Sequence, residues 1–398
     1  MTIQPEASTA RVTLLHRMGR EGPGHLWLYA GHVAKVEGQP AAGDVVDVVT
    51  PAGRFYGRGF YNPESKIRVR FLTFEDIPID RQFWLERMRQ AVRLRQRIVT
   101  NSTGYRLIHG EGDRLPGLIV DRYDRALVMQ TLAFGMDRRK AMLADVLAEV
   151  TGLETIYLRN DPKSRTLEGL PQERGFAKGS GATTVEITEG QAVFRVDMES
   201  GQKTGWFCDQ RENRLAAARY AEGAEVLEAF CHTGAFGIHA ALAGAASVEG
   251  LDVSEDSLAI AREHARMNRV ESRCRYRAGD AFDELRVLNK AGQRYDLVML
   301  DPPAFARSQQ AVPKALAGYK DINLLGIRLT KPEGFLVTSS CSHHISETQF
   351  WDAIRLAARD AKREVRLIEQ RGQSGDHPIL ASMPETRYLK CLIRSEEH

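Results

Sequence analysis

The sequence predicts an α/β protein in which a doubly wound, mostly parallel sheet of seven strands follows a small β-barrel and an α+β block. Three observations support this fold class. Short β-like runs separated by glycines fill residues 10–78, and mixed helical and strand-like segments fill residues 79–200. Residues 201–398 then alternate strictly between strand-like and helical segments, as in βαβ units. A chain of 398 residues is long enough for these three domains.

Composition limits the classes of function. Hydrophobic residues make up 43% of the chain and charged residues 27%, as in ordinary globular proteins. The net charge of +3 permits nucleic-acid binding without requiring it. The polar amino terminus lacks a signal-like apolar core, and no apolar run reaches the roughly 18 residues of a membrane span. The five cysteines show no CxxC spacing. We therefore expect a reducing cytoplasmic location, no membrane partner, no disulfide framework and no metal site.

The amino-terminal barrel carries alternating basic residues. These residues, interleaved with aromatic and apolar ones, are Arg54, Arg58, Lys66, Arg68 and Arg70. The alternation predicts one basic face and one core face, although a solvated strand face would show the same pattern. Asp80 then predicts the cap of an amphipathic helix. Its arginines, largely outside the apolar stripe, are Arg87, Arg89, Arg93 and Arg97.

The carboxyl-terminal sheet ends with two strand-like segments, EVRLIEQ and RYLKCLIR, with almost no helix between them. A parallel crossover usually contains a helix, so we expect the last strand to be antiparallel and to lie at an edge.

Acidic and glycine residues mark the ends of the first three strands of this sheet. Glu228 closes the first strand, and Gly234 and Gly237 follow in a turn. No third glycine completes a dinucleotide fingerprint and no Walker sequence is present, which disfavours a nicotinamide oxidoreductase. Asp252 could accept hydrogen bonds from two ribose hydroxyls, and Asp280 from an exocyclic amine, although either could simply cap a helix.

The candidate catalytic residues follow two further strands. Asp301-Pro302-Pro303-Ala304-Phe305 follows the strand YDLVML, and Cys341 follows FLVTSS. A carboxylate and an aromatic ring suit a planar base, with Pro302 stiffening the loop and Phe305 stacking on the base. A thiolate can add to C6 of a pyrimidine and activate C5, whereas a nitrogen target needs only positioning. Cys341 could also be a small buried residue of the core.

The ordered acids and glycines resemble those of class I S-adenosylmethionine-dependent methyltransferases. A closer resemblance rests on QKTGWFCDQREN, DPPAF, GYKDIN, SCSHH and the late DHP motif. Together these look like the RlmI-type 5-methylcytosine methyltransferases of 23S ribosomal RNA. The resemblance implies a PUA-like RNA-binding barrel over 10–78, a central α+β domain over 79–200 and a methyltransferase domain over 201–398.

The resemblance also implies roles for individual residues. Cys341 would be the nucleophile and Asp301 its partner. The residues expected near S-adenosyl-L-methionine are Gln202, Thr204, Gly205, Asp209, Arg211, Phe230, Cys231, Gly234, Asp252, Asp280 and Asp301. Cys208 departs from the pattern, because a larger apolar residue is expected there.

The sequence therefore predicts an S-adenosylmethionine-dependent RNA cytosine-C5 methyltransferase that acts on ribosomal RNA, with 23S as the expected target. One alternative is a nitrogen methyltransferase acting on guanine in RNA or on a protein amide, with a structural Cys341. Another is a non-catalytic RNA-binding assembly factor. A homodimer is compatible with the sequence, which does not determine the oligomeric state, the modified nucleotide or the base that takes the C5 proton.

Overall fold

A computed structural model describes residues 10–16 and 24–396. The chain forms two compact units. The first contains residues 1–187, 195–208 and 375–386, and the second contains residues 188–194, 209–374 and 387–398. The sheets follow the predicted order along the chain, and the three proposed domain boundaries stay predictions. No helix among the described residues is both long and apolar enough to cross a membrane.

The first unit begins with a six-stranded sheet in the order β2-β6-β5-β4-β1-β3. Its strands are β1 (Arg11–Leu14), β2 (Trp27–Tyr29), β3 (Val33–Glu37), β4 (Val45–Val49), β5 (Phe55–Tyr61) and β6 (Ile67–Thr73). Val69 and Phe71 of β6 are buried in the core, while Arg70 between them is only partly buried, as the alternation predicts. The expected basic face is partly neutralised. Arg58 pairs with Asp47 at 2.6 Å, and Arg70 bonds the carboxylates of two glutamates.

An α+β block completes most of the first unit. Its elements are α1 (Arg81–Ile98), β7 (Gly104–His109), β8 (Leu118–Tyr123), β9 (Ala126–Thr131), α2 (Phe134–Asp137), α3 (Lys140–Thr151), β10 (Thr155–Asn160) and β11 (Glu173–Lys178). The predicted cap of α1 is confirmed, because Asp80 accepts a hydrogen bond from the Phe83 backbone N–H at 2.9 Å. The strands pair in the order β11-β10-β9-β8-β7. Sequence reasoning missed β11 and the two-stranded sheet of β12 (Thr184–Glu189) and β13 (Ala192–Asp197).

The late DHP motif has a structural role in the first unit. Arg95 of α1 forms a bidentate ion pair with Asp113 at 2.5 and 2.7 Å and also donates to the Asp376 carbonyl at 2.7 Å. The Asp376 carboxylate in turn accepts from the Arg106 backbone N–H at 2.8 Å. Arg95 and Asp376 are fully buried, so this bonding satisfies charges that would be costly to leave unpaired.

The second unit is built on a seven-stranded sheet in the order β16-β15-β14-β17-β18-β20-β19. Its strands are β14 (Glu225–Ala229), β15 (Ser247–Asp252), β16 (Cys274–Ala278), β17 (Tyr295–Leu300), β18 (Thr330–Ser340), β19 (Val365–Arg371) and β20 (Lys390–Glu396). Its helices are α4 (Arg211–Ala218), α5 (Ala235–Leu242), α6 (Glu255–Met267), α7 (Ala281–Lys290), α8 (Val312–Leu329) and α9 (Glu347–Ala361). Helices alternate with parallel strands as predicted.

One detail of the predicted topology is wrong. The last strand, β20, is antiparallel as expected, but it lies between β18 and β19 and pairs with both. The edge position belongs to β19. The reason is burial: Cys391, Leu392 and Ile393 of β20 are all buried, whereas Leu367 and Ile368 of β19 are 39% and 46% exposed. A strand buried on both faces suits an internal position, and a strand rich in charged residues suits an edge.

Candidate active site

Five neighbouring parallel strands of the second unit deliver the predicted residues to one edge. From β16 through β15, β14 and β17 to β18, each strand runs parallel to its neighbours. Their carboxyl ends present, in spatial order, Asp280, Asp252, the glycine turn, Asp301 and Cys341. Ligands of open α/β sheets bind beyond this edge, beside the strand from which the connections diverge. The sheet therefore brings these residues together as the sequence predicts.

The turn after β14 is wound in an unusual conformation. Phe230, His232 and Gly234 have φ of 61°, 49° and 76°, in the left-handed region. For a bulky residue such as Phe230 this costs on the order of 1–3 kcal/mol and persists where the surrounding structure enforces it. Asp252 contributes to that enforcement, because its Oδ2 accepts from the His232 backbone N–H at 2.8 Å and its Oδ1 from the Ser254 N–H at 3.0 Å. The turn and the second strand end are thus locked together.

Glu228 supports the same turn from below. Its Oε2 accepts from the Gly237 backbone N–H at 2.9 Å, and a Cβ at Gly237 would approach that oxygen to 2.6 Å. Only glycine therefore fits at this position without a shift. Burial raises the pKa of Glu228 to about 8, the nearby Asp301 carboxylate adds to the rise, and the backbone N–H groups oppose it. Glu228 is 3% exposed, so its role is to hold the turn rather than to contact a ligand.

The edge formed by β14, β15 and β16 has a donor set that fits S-adenosyl-L-methionine. Asp252 keeps lone pairs on both oxygens for vicinal hydroxyls. Asp280 caps α7 through Oδ1 alone, accepting from two backbone N–H groups, so Oδ2 can accept from an exocyclic amine. Phe230 and Phe282 are half-buried with ring centroids 6.3 Å apart, and they supply apolar walls. Cys231 lies within the turn, and burial raises the pKa of its thiol.

Asp301, at the end of β17, is held by a chain of amides that sequence reasoning missed. The Gln210 Nε2 group donates to Asp301 Oδ1 at 2.9 Å. Gln210 Oε1 accepts from Asn213 Nδ2 at 2.7 Å, which fixes the amide orientation. Both amide residues are buried, at 3% and 1% exposure. The only sequence signal was their position within the QKTGWFCDQREN stretch.

The loop after Asp301 places an aromatic ring beside this edge. Pro302 is buried and Phe305 is half-buried. The Phe305 ring centroid lies 4.7 Å from that of Tyr319 and 5.9 Å from that of Phe282. The buried Pro302 and the contacts of the Phe305 ring therefore hold the loop in place, while part of the Phe305 ring remains accessible.

Cys341 ends the strand adjacent to Asp301. Leu300 of β17 pairs with Thr338 of β18, which places Asp301 beside Ser339 and two residues before Cys341 in register. Ser340 and Ser342 are fully buried, whereas Cys341 is half-buried. Cys341 is thus less buried than the two serines that flank it.

Two hydroxyls connect the Cys341 loop to the loop that follows Asp301. Ser342 Oγ accepts from the Ala306 backbone N–H at 3.3 Å and lies 2.9 Å from the Tyr319 hydroxyl oxygen. Burial raises the pKa of Tyr319, so it remains a neutral hydroxyl over the physiological range. These contacts hold the carboxylate loop and the thiol loop in one arrangement.

The QKTGWFCDQREN stretch is divided between the two units. Gln202, Thr204, Gly205 and Cys208 belong to the first unit, and Asp209 and Arg211 to the second. Gln202 is exposed, while the Thr204 hydroxyl is buried and donates to Asp121 at 2.5 Å. A Cβ at Gly205 would approach Val196 to 2.7 Å, and Cys208 is 2% exposed.

The two expected cofactor residues of this stretch that lie in the second unit, Asp209 and Arg211, are also buried. Asp209 accepts from the Tyr388 hydroxyl at 2.7 Å, and Arg211 lies 3.4 Å from the carboxylate of Glu212. Asp209 is 3% exposed and Arg211 1%. Their cofactor contacts stay predictions.

No cluster of histidine, cysteine and acidic residues suited to a metal ion occurs within residues 10–16 and 24–396. His343, two residues after the thiol, instead stacks on Tyr388, with ring centroids 5.1 Å apart and planes inclined by 24°.

The parallel sheet, the glycine turn and the row of acids define the second unit as a class I S-adenosylmethionine-dependent methyltransferase domain. Residues 173–352 match the S-adenosylmethionine-dependent methyltransferase family, and residues 23–74 match the PUA-like domain family. The cofactor is therefore S-adenosyl-L-methionine. Over 374 residues the chain is 41% identical to ribosomal RNA large subunit methyltransferase I of Shewanella amazonensis, covering 93% of this chain and 94% of that protein. The chain belongs to the ribosomal RNA large subunit methyltransferase I family.

Solved structures with low sequence identity share the fold. A protein described as a methyltransferase and crystallised with S-adenosylhomocysteine has a TM-score of 0.83 at 19% identity, over 97% of this chain and 99% of that one. An S-adenosylmethionine-dependent methyltransferase from Streptococcus mutans has a TM-score of 0.80 at 18% identity, with the same coverage. These similarities extend the fold assignment to nearly the whole chain.

Proposed function

We propose that this protein forms 5-methylcytosine in ribosomal RNA of the large subunit, 23S RNA, through a covalent bond between Cys341 and C6 of the target cytosine. The substrate is inferred from the names of the curated relatives. One observation carries the chemistry: the half-buried Cys341 directly follows β18, which pairs with β17, the strand that Asp301 follows. A nitrogen methyltransferase needs the carboxylate and the ring, but not the thiol.

Each residue at this edge has a separate role in the proposed reaction. The Cys341 thiolate bonds to C6, and the electrons of the C5–C6 double bond make C5 nucleophilic. Asp301 accepts a hydrogen bond from the ring at N3 or the 4-amino group, and Phe305 stacks on the base. After methyl transfer, a base removes the C5 proton and the S–C6 bond breaks, which releases the thiolate. S-Adenosyl-L-methionine supplies the electrophilic methyl group when it is bound.

Access to C5 and C6 requires an unstacked base. A thiol at a sheet edge cannot reach these atoms inside a stacked helix, so the enzyme acts on an unpaired or flipped nucleotide. RNA would be held mainly through phosphates. The first unit offers cations for this. Arg87 and Arg114 form no ion pair and no side-chain hydrogen bond with any of the described residues, and Arg54 and Lys66 are exposed.

Trapping of the covalent intermediate tests the proposal. Incubation with S-adenosyl-L-methionine and 5-fluorocytidine-substituted RNA should yield a stable protein–RNA adduct, because fluorine at C5 cannot leave as a proton does. Cys341→Ala should abolish the adduct, and Cys274→Ala, at a buried cysteine far along the sheet, should retain it. Full turnover by Cys341→Ala would exclude the carbon mechanism and favour nitrogen methylation.

Three further measurements address the substrate, the cofactor and the oligomeric state. Mass-spectrometric mapping of ribosomal RNA from cells with and without the protein should reveal one missing 5-methylcytosine in 23S RNA. Absence of S-adenosyl-L-methionine binding by calorimetry would instead favour a non-catalytic assembly factor. Light scattering would test whether the protein forms a homodimer, which is compatible with the sequence.

A further inference from the structure

Lys390, the first residue of β20, is a buried cation next to the Cys341 loop. It pairs with Ser340 across the sheet and is 5% exposed. Its Nζ group donates to three backbone carbonyls, those of Ser342 at 2.7 Å, Ile345 at 2.9 Å and Tyr388 at 2.8 Å. An ammonium has three protons to donate, so this site satisfies the group completely. Two of the three acceptors belong to the loop that directly follows the thiol.

The charges around Lys390 come from several elements. Burial lowers the pKa of Lys390 to about 8, whereas Cys341 after β18 and Glu347 of α9 both favour its protonated form. Glu347 also pairs with Arg387 and accepts from Gln370 at 3.2 Å. Arg371 of β19 lines the same pocket as Lys390 and Glu347, and it pairs with Glu369 at 2.9 Å. Of the two groups that favour protonated Lys390, Cys341 has the larger effect, and it directly precedes the loop that Lys390 binds.

We propose that Lys390 is a positioning residue for Cys341, which holds the thiol loop closed through Ser342 and Ile345 and whose positive charge favours the thiolate. The inference rests on the proposed function for its role in turnover. The electrostatic coupling itself is a property of the protein without RNA.

The pH dependence of thiol alkylation tests this coupling directly. Cys341 is the one half-buried cysteine of the five, all of which lie in the described part of the chain. Iodoacetamide should therefore modify it selectively, and mass spectrometry of its peptide gives the rate. Lys390→Met removes the charge and keeps the length of the side chain. We expect the midpoint of the pH–rate profile to rise by about one unit, with an about tenfold slower reaction at pH 7.

Control variants distinguish the effect of the Lys390 charge from the effect of a changed loop structure. Lys390→Arg keeps the charge and should leave the midpoint within a few tenths of a unit of the wild-type value. Lys331→Met, at a lysine that pairs with Glu225 and Asp296, should leave it unchanged. An unchanged midpoint in Lys390→Met would overturn the proposal, since a purely structural role would alter stability without moving the profile.

A reciprocal measurement covers the case in which Lys390→Met does not fold. Carbon-13 labelled lysine side chains report the titration of Lys390 in the wild type and in Cys341→Ser, a small change at a half-buried site. Loss of the thiolate should lower the Lys390 midpoint, and equal midpoints would overturn the proposal. Failure of the 5-fluorocytidine adduct in the wild type, with the alkylation shift present, would overturn the proposed function and leave the coupling intact.

Discussion

The side-chain amide of Gln210 donates a hydrogen bond to Oδ1 of Asp301, with 2.9 Å between the nitrogen and the oxygen. Asn213 holds the other end of the Gln210 amide at 2.7 Å, and Arg371 donates to Asn213 at 3.0 Å. The carboxylate that is expected to contact the target base is thus oriented by a buried chain. Gln210 thus fixes the orientation of the carboxylate through Oδ1.

Replacement of Gln210 should impair catalysis more than binding. Hydrogen bonds to charged groups contribute about 1.5–3 kcal/mol, so Gln210→Leu should lower kcat about ten- to hundredfold. The KM for RNA should change little, because Gln210 is only 3% exposed. Steady-state methyl-transfer assays would measure both parameters. Gln293→Leu, at an exposed glutamine, is the matched control. An unchanged kcat in Gln210→Leu would show that Asp301 needs no orientation by its neighbour.

Glu228 should make the stability of the second unit depend on pH. Its pKa is about 8 in the folded protein against an ordinary value of 4.5, so the folded state binds the proton more tightly. The resulting stabilisation is complete below about pH 4.5 and is lost as pH rises through 8. Glu228→Gln keeps a neutral acceptor for Gly237. At pH 8 to 9 it should raise the free energy of unfolding relative to wild type by about 2–4 kcal/mol.

Urea unfolding between pH 5 and pH 9 would measure this difference. The wild-type free energy of unfolding should fall with pH more steeply than that of Glu228→Gln. Glu364→Gln, at an exposed glutamate, should retain the wild-type slope. Parallel slopes for the wild type and Glu228→Gln would contradict a protonated Glu228 at neutral pH.

Arg87 and Arg114 should contribute to the salt dependence of RNA binding. Burial lowers the pKa of Arg87, and Arg114 adds to that effect, so the two cations lie close enough to repel each other. An anion between them would relieve this repulsion. If each contacts one phosphate, Arg87→Ala or Arg114→Ala should reduce the slope of log K against log salt by about 0.7.

Filter binding at several salt concentrations would determine these slopes. Arg93→Ala is the matched control on α1, because Arg93 pairs with Glu86 at 2.9 Å. Equal slopes for Arg87→Ala, Arg114→Ala and the wild type would exclude this pair from the RNA contact surface.

Several parts of the fold and site followed from local sequence patterns. The alternation of helical and strand-like segments identified the parallel sheet, and Asp80 identified the start of α1. Asp301 and Cys341 could be located because each directly follows an apolar strand. Carboxyl ends of neighbouring parallel strands share one edge, so residues far apart in sequence could be placed together. The cap that Asp280 was expected to form is confirmed at the start of α7, whereas its contact with the cofactor stays a prediction.

Other features depend on partners that are distant in sequence. Gln210 contacts a carboxylate 91 residues away, and Lys390 reaches carbonyls 45 and 48 residues before it. Gln210 was marked only by its position within QKTGWFCDQREN, and Lys390 has no local pattern that distinguishes it from an ordinary surface lysine. The order of β19 and β20 in the sheet could not be predicted from the sequence either. Both segments are strand-like, and only the burial of β20 against α9 and β18 distinguishes them.

The sequence by itself determined the alternating fold, the strand ends and the identity of the chemical groups, because periodicity and turn residues act over a few neighbours. Tertiary structure decided which groups support them: Gln210 behind Asp301, Glu228 beneath the glycine turn and Lys390 beside Cys341. Burial is the physical reason. A charged or polar group removed from water must find a partner wherever the chain supplies one, and that partner is chosen by packing rather than by sequence distance.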